Sequence, residues 1–80
     1  MTEIDVLKRL QDVFDRVFVE PPQLRMDLTA AEVPEWDSVK HVELLLAVEK
    51  EFNQKFSVGE AMGIQQVGDW VRLLAARTTG

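Results

Sequence analysis

Hydrophobic residues recur at steps of three and four along the first part of the chain, the spacing of one buried helical face. The positions are Ile4, Leu7, Leu10, Phe14, Val17 and Phe18. Thr2 can cap this helix, and Glu3 and Asp5 in the first turn interact favourably with the helix dipole. Because a residue before proline disfavours the helical conformation, helix I is predicted to span residues 3 to 19 and to end before Pro21 and Pro22.

Residues 20 to 36 show no sustained period and contain three prolines, which argues against a long helix. The stretch is nevertheless too apolar for a flexible linker, since it holds Leu24, Met26, Leu28, Val33 and Trp36. We expect a long ordered connection with at most a short turn near residues 29 to 32. Trp36 either covers the core or anchors an interface, and packing is the favoured interpretation. A connection of this length often has a functional reason.

Residues 38 to 51 predict helix II, with apolar residues on two sides. The first stripe consists of His41, Leu45, Val48 and Phe52, with Leu44 at its margin. The second consists of Val39, Val42 and Leu46, flanked by Glu43, Glu49 and Lys50. One stripe is enough to attach the helix to a small core. The other faces either the core or a partner protein, because an exposed apolar strip edged by charge is a common interaction site.

The last third of the chain predicts two further helices. Ser57 and Glu60 have the spacing of a capping box, which indicates a short helix III over residues 58 to 62. Gly63 suits the left-handed conformation that follows many helices. Helix IV is predicted over residues 67 to 76 from the spacing of Val67, Trp70, Val71 and Leu74, with residues 78 to 80 as a frayed tail.

These elements indicate one all-α domain over residues 1 to 80. The expected architecture is a four-helix bundle with three longer helices, a short helix III and a long connection between helices I and II. A chain of 80 residues buries only about 60% of its unfolded surface, which argues against a deep enzymatic cleft.

Composition narrows the class of protein. The absence of cysteine excludes disulfides and thiolate–metal sites. No apolar run approaches the roughly 18 residues that a membrane span requires, and residues 1 to 5 lack the features of a signal peptide. We therefore expect a cytoplasmic protein that does not insert into membranes.

The net charge of −5 is concentrated in one part of the chain. Residues 27 to 60 contain eight acidic and three basic side chains, so this stretch carries the whole excess. An acidic surface repels phosphate backbones and attracts basic proteins, which makes nucleic acid a poor candidate partner. The same charge also serves simply to keep a small domain in solution.

Ser38 is the candidate for chemistry, at the first turn of helix II. A serine nucleophile needs a base, a group that orients the base, and oxyanion donors. His41 is the sole histidine, but it lies on the core-like stripe, and no Gly-x-Ser-x-Gly elbow is present. We interpret His41 as a half-buried packing residue and expect no catalytic residues. The chain also lacks the ligand spacing of a zinc or calcium site, so no metal site is expected.

A serine that another enzyme modifies needs fewer features in its own protein than a catalytic serine does. It needs an exposed hydroxyl, a defined docking helix and tolerance of a new phosphate. The free N–H groups and the positive dipole end of a helix favour a phosphodiester at the first turn. Ser38 meets this requirement.

Short sequence blocks along the chain then carry a resemblance to a known family. Asp37-Ser38-Val39 is followed by Val42-Glu43-Leu44, Ala47-Val48-Glu49 and Glu51-Phe52, and later by Val67-Gly68-Asp69. Their order and spacing resemble the acyl carrier proteins, which have an Asp-Ser-Leu attachment motif and a Val-Gly-Asp that opens the last helix. The resemblance extends from helix I to helix IV.

The resemblance implies that Ser38 carries 4′-phosphopantetheine, transferred from coenzyme A by a magnesium-dependent phosphopantetheinyl transferase. The thiol of this arm would hold an acyl group as a thioester, while the carrier itself catalyses nothing. Asp37 would cap helix II and help to position the serine.

The resemblance also divides helix II into two sides. Core positions would be Leu44, Leu45, Val48 and Phe52. The side that meets acyl-loading and acyl-transfer enzymes, through basic patches on those enzymes, would comprise Val39, Val42, Glu43, Leu46 and Glu49. Such a carrier is expected to be a monomer.

Several positions depart from the family pattern. Pro34-Glu35-Trp36 replaces the usual glycine before the motif, Val39 replaces leucine, and Gln66 replaces a threonine cap. Lys40, His41 and Lys50 dilute the acidic face. These departures favour a specialised, freestanding carrier in a secondary-metabolite, polysaccharide or lipid-modifying pathway.

Two alternative functions stay open. An aminoacyl or peptidyl carrier is the alternative within the family. An unmodified helical interaction module, binding a basic partner through Val39, Val42 and Leu46, is the alternative outside it.

Overall fold

Four α-helices form the structure, a computed structural model that describes residues 2 to 78 apart from the side chain of Val58. They are α1 (Glu3–Val17), α2 (Ser38–Phe52), α3 (Val58–Met62) and α4 (Val67–Thr78), with a 3-10 turn at Ala30–Glu32 in the first connection. The predicted all-α bundle of three longer helices and one short helix is confirmed. Thr78 belongs to α4, whereas the rest of the predicted tail, residues 79 and 80, lies outside the described residues.

Helix α1 begins at the predicted cap. The Thr2 hydroxyl accepts the backbone N–H of Asp5 at 3.1 Å, and the Asp5 carboxylate accepts that of Thr2. Its buried face consists of Val6, Leu10, Val13 and Phe14. The assignment of Ile4 to this face was wrong, since 68% of that side chain is exposed. At about 100° per residue, Val6 rather than Ile4 shares a face with Leu10 and Val13.

The connection between α1 and α2 is ordered, as expected, because its apolar side chains enter the core. Leu24, Leu28, Val33 and Trp36 are all buried. The Trp36 ring packs edge-on against Phe14, with ring centroids 5.3 Å apart, and Phe14 stacks on Phe18. The packing interpretation of Trp36 is therefore confirmed.

Two backbone hydrogen bonds tie this connection to the start of α4. The N–H of Val67 donates to the carbonyl of Leu28 at 2.9 Å, and that of Gly68 donates to the carbonyl of Met26 at 2.7 Å. They fix the middle of the long connection against a helix that lies 39 and 42 positions further along the sequence.

The two stripes of α2 face opposite environments. Leu44, Val48 and Phe52 are buried, and Leu45 and His41 are partly buried. Leu44, which the pattern placed at the margin, is fully buried and lies at the centre of the core side. Glu51 forms ion pairs with both Arg9 and Arg16, and these pairs link α2 to α1. The helix runs one residue further than predicted, to Phe52, and the following Asn53 caps it in a left-handed conformation with φ of 53°.

Around α3 the capping box is confirmed and the glycine conformation is not. The Ser57 hydroxyl accepts the N–H of Glu60 at 3.1 Å, and the Glu60 carboxylate accepts that of Ser57 at 2.9 Å. Gly63 has φ of −79°, so the left-handed conformation predicted for it was wrong. Its N–H donates to the carbonyls of Gly59 and Glu60, which continues the right-handed turn.

Helix α4 begins without a threonine cap because Asp69 takes over that role from within the first turn. One Asp69 oxygen accepts the N–H groups of Gln65 and Gln66, at 3.0 and 3.2 Å. The helix extends two residues beyond the predicted end. None of the helices in the described part of the chain is long and apolar enough to cross a membrane.

Candidate functional site

Ser38 is the first residue of α2, and its side chain is exposed. Asp37 caps the helix as predicted: its carboxylate accepts the N–H of Lys40 at 2.8 Å, and its carbonyl accepts that of His41 at 2.8 Å. Within residues 2 to 78, neither the Ser38 hydroxyl nor the N–H groups of Ser38 and Val39 have a hydrogen-bond partner. An accessible hydroxyl therefore stands beside free donors at the positive end of a helix dipole.

Residues on both sides of Ser38 are bonded to the end of α1. The Glu35 carboxylate accepts the N–H groups of Val19 and Glu20 at 2.7 and 3.1 Å. The Lys40 ammonium donates to the carbonyl of Val17 at 3.2 Å and lies 3.6 Å from a Glu35 oxygen. These bonds explain why α1 stops at Val17, two residues before the predicted end. They also hold the serine segment in place from two sides.

Lys40 contributes less to the outer face of α2 than the sequence indicated. Only 19% of its side chain is exposed, because it reaches the end of α1 and lies over the Phe18 ring, 5.8 Å from the centroid. It also pairs with Glu43 at 3.3 Å. This contact between α2 and the end of α1 explains why a lysine occurs at position 40, and residue spacing alone does not reveal it.

Glu35 is expected to make folding sensitive to acid. Hydrogen bonds from the N–H groups of Val19 and then Glu20 lower the pKa of this carboxyl from its ordinary value of 4.5. A lowered pKa contributes stability that is present above the ordinary value and is lost as the pH falls through the folded-state pKa. Glu35→Gln should therefore melt below wild type at neutral pH, and the difference should shrink as the carboxyl becomes protonated.

Thermal melts of both proteins from neutral pH to below 4.5 measure this difference. Asp12→Asn, on the exposed side of α1, is the control and should follow wild type throughout. A melting difference between Glu35→Gln and wild type that stays constant over the whole pH range would contradict this role of Glu35.

His41 is half-buried, as predicted, and both ring nitrogens are engaged. The indole N–H of Trp36 donates to His41 Nδ1 at 3.1 Å, and His41 Nε2 lies 3.2 Å from the carbonyl oxygen of Ala61 in α3. The ring nitrogens therefore face Trp36 and Ala61 rather than the Ser38 hydroxyl. This geometry does not form the nucleophile–base pair of a serine hydrolase.

A surface pocket of about 550 Å³ opens beside Ser38. Its walls come from the connection, from α2 and from the α3 region, and include Ala30, Trp36, His41, Ala61 and Met62. Met62 stands at this pocket with 77% of its side chain exposed. The serine thus borders a mainly apolar concavity that the sequence did not predict, because the pocket depends on how α3 packs against α2.

The predicted partner-facing residues of α2 do not all lie in one environment. Val39, Val42 and Leu46 form an exposed apolar stripe, with 68%, 55% and 60% of their side chains accessible. Glu43 is exposed beside them. Glu49 is partly buried, and its carboxylate accepts the backbone N–H of Phe56 at 2.8 Å. Glu49 therefore stabilises the segment after α2 in addition to any role at the surface.

Among residues 2 to 78, no three histidine or carboxylate side chains cluster so that they could hold a metal ion. No protein-family model matches the chain. Evidence about function therefore comes from the site itself and from the motifs around it.

Proposed function

We propose that this protein is an acyl carrier protein in which Ser38 bears 4′-phosphopantetheine. A phosphopantetheinyl transferase would supply the arm from coenzyme A, together with the magnesium ion and the base that the reaction needs. The Ser38 oxygen would lose its proton to that base, form a bond to the phosphorus next to pantetheine, and displace adenosine 3′,5′-bisphosphate. The arm's thiol would then carry an acyl group as a thioester between partner enzymes. The observation that carries this proposal is the exposed, unbonded Ser38 hydroxyl at the first turn of a helix capped by Asp37.

The surroundings of Ser38 suit an attached phosphodiester. The free N–H groups of Ser38 and Val39 can donate to phosphate oxygens, and the helix dipole favours the negative charge. Asp37 keeps its carboxylate on the N–H of Lys40, so the cap and the modified serine use different donors. The residue after the cap can therefore gain a phosphate without loss of the helix start.

The exposed stripe of α2 supports docking of partner enzymes in this proposal. Val39, Val42 and Leu46 offer apolar contacts within one to eight residues of the modified serine, and Glu43 adds negative charge. Basic patches on the transferase and on acyl-loading and acyl-transfer enzymes would complement this surface. In this proposal the carrier works as a cytoplasmic monomer in a specialised biosynthetic pathway.

Intact-mass spectrometry after incubation with coenzyme A, magnesium and a transferase tests the proposal. We expect wild type to gain the mass of one phosphopantetheine and Ser38→Ala to gain none. Ser57→Ala is the matched control, because Ser57 is the chain's other serine and also stands at a helix start. It should still be modified. Absence of any mass gain on wild type, under conditions that load another carrier, would contradict the proposal.

An unmodified interaction module is the second candidate, favoured by the same exposed stripe of Val39, Val42 and Leu46. In that case a partner would bind the apolar stripe and Ser38 would remain a plain hydroxyl. Ser38→Ala would then leave activity in cells intact, whereas a carrier would lose it completely. Within the carrier class, identification of the thioester distinguishes acyl from aminoacyl or peptidyl cargo.

A further inference from the structure

The two contacts of His41 define one protonation state of its ring. The indole N–H of Trp36 can only donate, so His41 Nδ1 must be an unprotonated acceptor. The carbonyl of Ala61 can only accept, so Nε2 must carry the proton. The arrangement therefore requires a neutral imidazole, which connects the residue two positions before Ser38 to the third helix.

A second proton on this ring does not fit the arrangement. Protonation at Nδ1 would place two N–H donors against each other across the 3.1 Å between the His41 and Trp36 nitrogens. The Trp36 side chain is only 5% exposed, so its indole N–H would lose its partner with little access to water. Rotation of the imidazole away from Trp36 would relieve this conflict, and it would also break the bond to Ala61.

Of the residues that the structure describes, those that face the His41 ring include no carboxylate that could pair with a protonated imidazole. Trp36 from the connection, Ala61 from α3 and Trp70 from α4 face the ring, and all three are uncharged. The carboxylate that lines the same pocket belongs to Asp37 and caps the N–H of Lys40. The neighbouring carboxylate of α3, Glu60, is bonded to Ser57 and to Arg77.

We propose that His41 is a proton-sensitive latch between α2 and α3. The neutral ring fastens α3 to the segment that leads into Ser38, and the protonated ring releases it. Because Ala61 and Met62 belong to the wall of the pocket beside Ser38, release widens that pocket. The latch is independent of the modification of Ser38.

The sign of the effect follows from proton counting. The closed arrangement binds one proton fewer at His41 than the opened one, so acid favours opening and neutral or alkaline pH favours closure. In wild type we expect α3 amide hydrogen exchange, corrected for its intrinsic pH dependence, to accelerate about tenfold from about pH 7.5 to about pH 5. Exchange of the Trp36 indole proton should accelerate with it, while amides in the middle of α1 stay protected.

Two variants separate protonation from simple packing. His41→Gln cannot titrate, yet its carboxamide can accept from Trp36 and donate to Ala61, so its α3 exchange should not respond to pH. His41→Phe lacks both bonds and should show fast α3 exchange throughout. Measurements on unmodified, nitrogen-15-labelled protein give both readouts by NMR. An α3 exchange rate in wild type that is constant over this range, or an equal acceleration in His41→Gln, would overturn the proposal.

Discussion

Leu44→Asp is expected to unfold the protein at room temperature, whereas Val42→Asp should melt within a few degrees of wild type. The two positions lie two residues apart in α2, but Leu44 is fully buried and 55% of Val42 is exposed. Aspartate at position 44 would lose about 2 to 3 kcal/mol of apolar burial and add the larger cost of an unpaired charge in the core. A small domain is stable by only about 5 to 15 kcal/mol, so this change removes most of its stability.

Circular dichroism melts of the two variants measure this contrast directly. Leu45→Asp should fall between them, because Leu45 is only partly buried. If Val42→Asp melted below Leu44→Asp, the division of α2 into a core stripe and an exposed stripe would be wrong.

The same Val42→Asp variant tests the exposed stripe as a docking surface under the carrier proposal. It should slow transfer of phosphopantetheine to Ser38 while the fold stays intact. Ile4→Asp is the matched control, since Ile4 is a similarly exposed apolar residue, at 68%, on α1. Its rate of modification should equal that of wild type. Equal rates in all three proteins would remove the stripe from the docking surface of the transferase.

The features that the sequence predicted correctly depend on neighbours three or four residues apart. Thr2 with Asp5, Asp37 with Lys40 and Ser57 with Glu60 are hydrogen-bonded caps whose partners lie one helical turn away. Such pairs form whenever the helix forms, so spacing suffices to identify them. The position of Ser38 at the start of an exposed helix face could be predicted for the same reason.

The features that spacing missed connect segments distant in sequence. Glu35 bonds the N–H groups at the end of α1 from 15 and 16 residues away, and Lys40 reaches Val17 across 23 residues. The bond from His41 to Ala61 spans 20 residues. Each depends on the path of the connection or of α3, which no periodic pattern encodes. Residue type misled at one helix end: Asn53, a residue that tolerates the left-handed conformation, adopts it after α2, whereas Gly63 stays right-handed after α3.

These contacts alter the meaning of two departures from the acyl carrier pattern. Lys40 and His41 were interpreted as changes to the acidic face that favour a specialised carrier. Lys40 instead joins α2 to the end of α1, and His41 joins Trp36 to α3. Both residues are explained by contacts within the fold, which leaves Lys50 as the exposed basic residue among the three. Under the carrier proposal, partner choice would therefore depend on the apolar stripe and Glu43 more than on these two positions.

Gly68→Ala is expected to destabilise the fold by about 2 kcal/mol, although alanine is the better helix former by about 1 kcal/mol. Gly68 lies in the first turn of α4 with an ordinary right-handed backbone, so its conformation does not require glycine. The requirement is space: a Cβ at this position would lie 2.7 Å from the carbonyl oxygen of Met26. That oxygen accepts the Gly68 N–H, so moving it away breaks the bond that ties the long connection to α4.

Gly59→Ala provides the matched control, because a Cβ there would meet nothing closer than the Ser57 hydroxyl at 4.0 Å. It should be neutral or more stable by up to about 1 kcal/mol. Urea unfolding of both variants measures the difference in the free energy of unfolding. Equal stability of Gly68→Ala and Gly59→Ala would show that the Met26 carbonyl moves aside without lowering the free energy of unfolding. A loss confined to Gly68→Ala would show that the close approach of the connection to α4 is what position 68 requires of glycine.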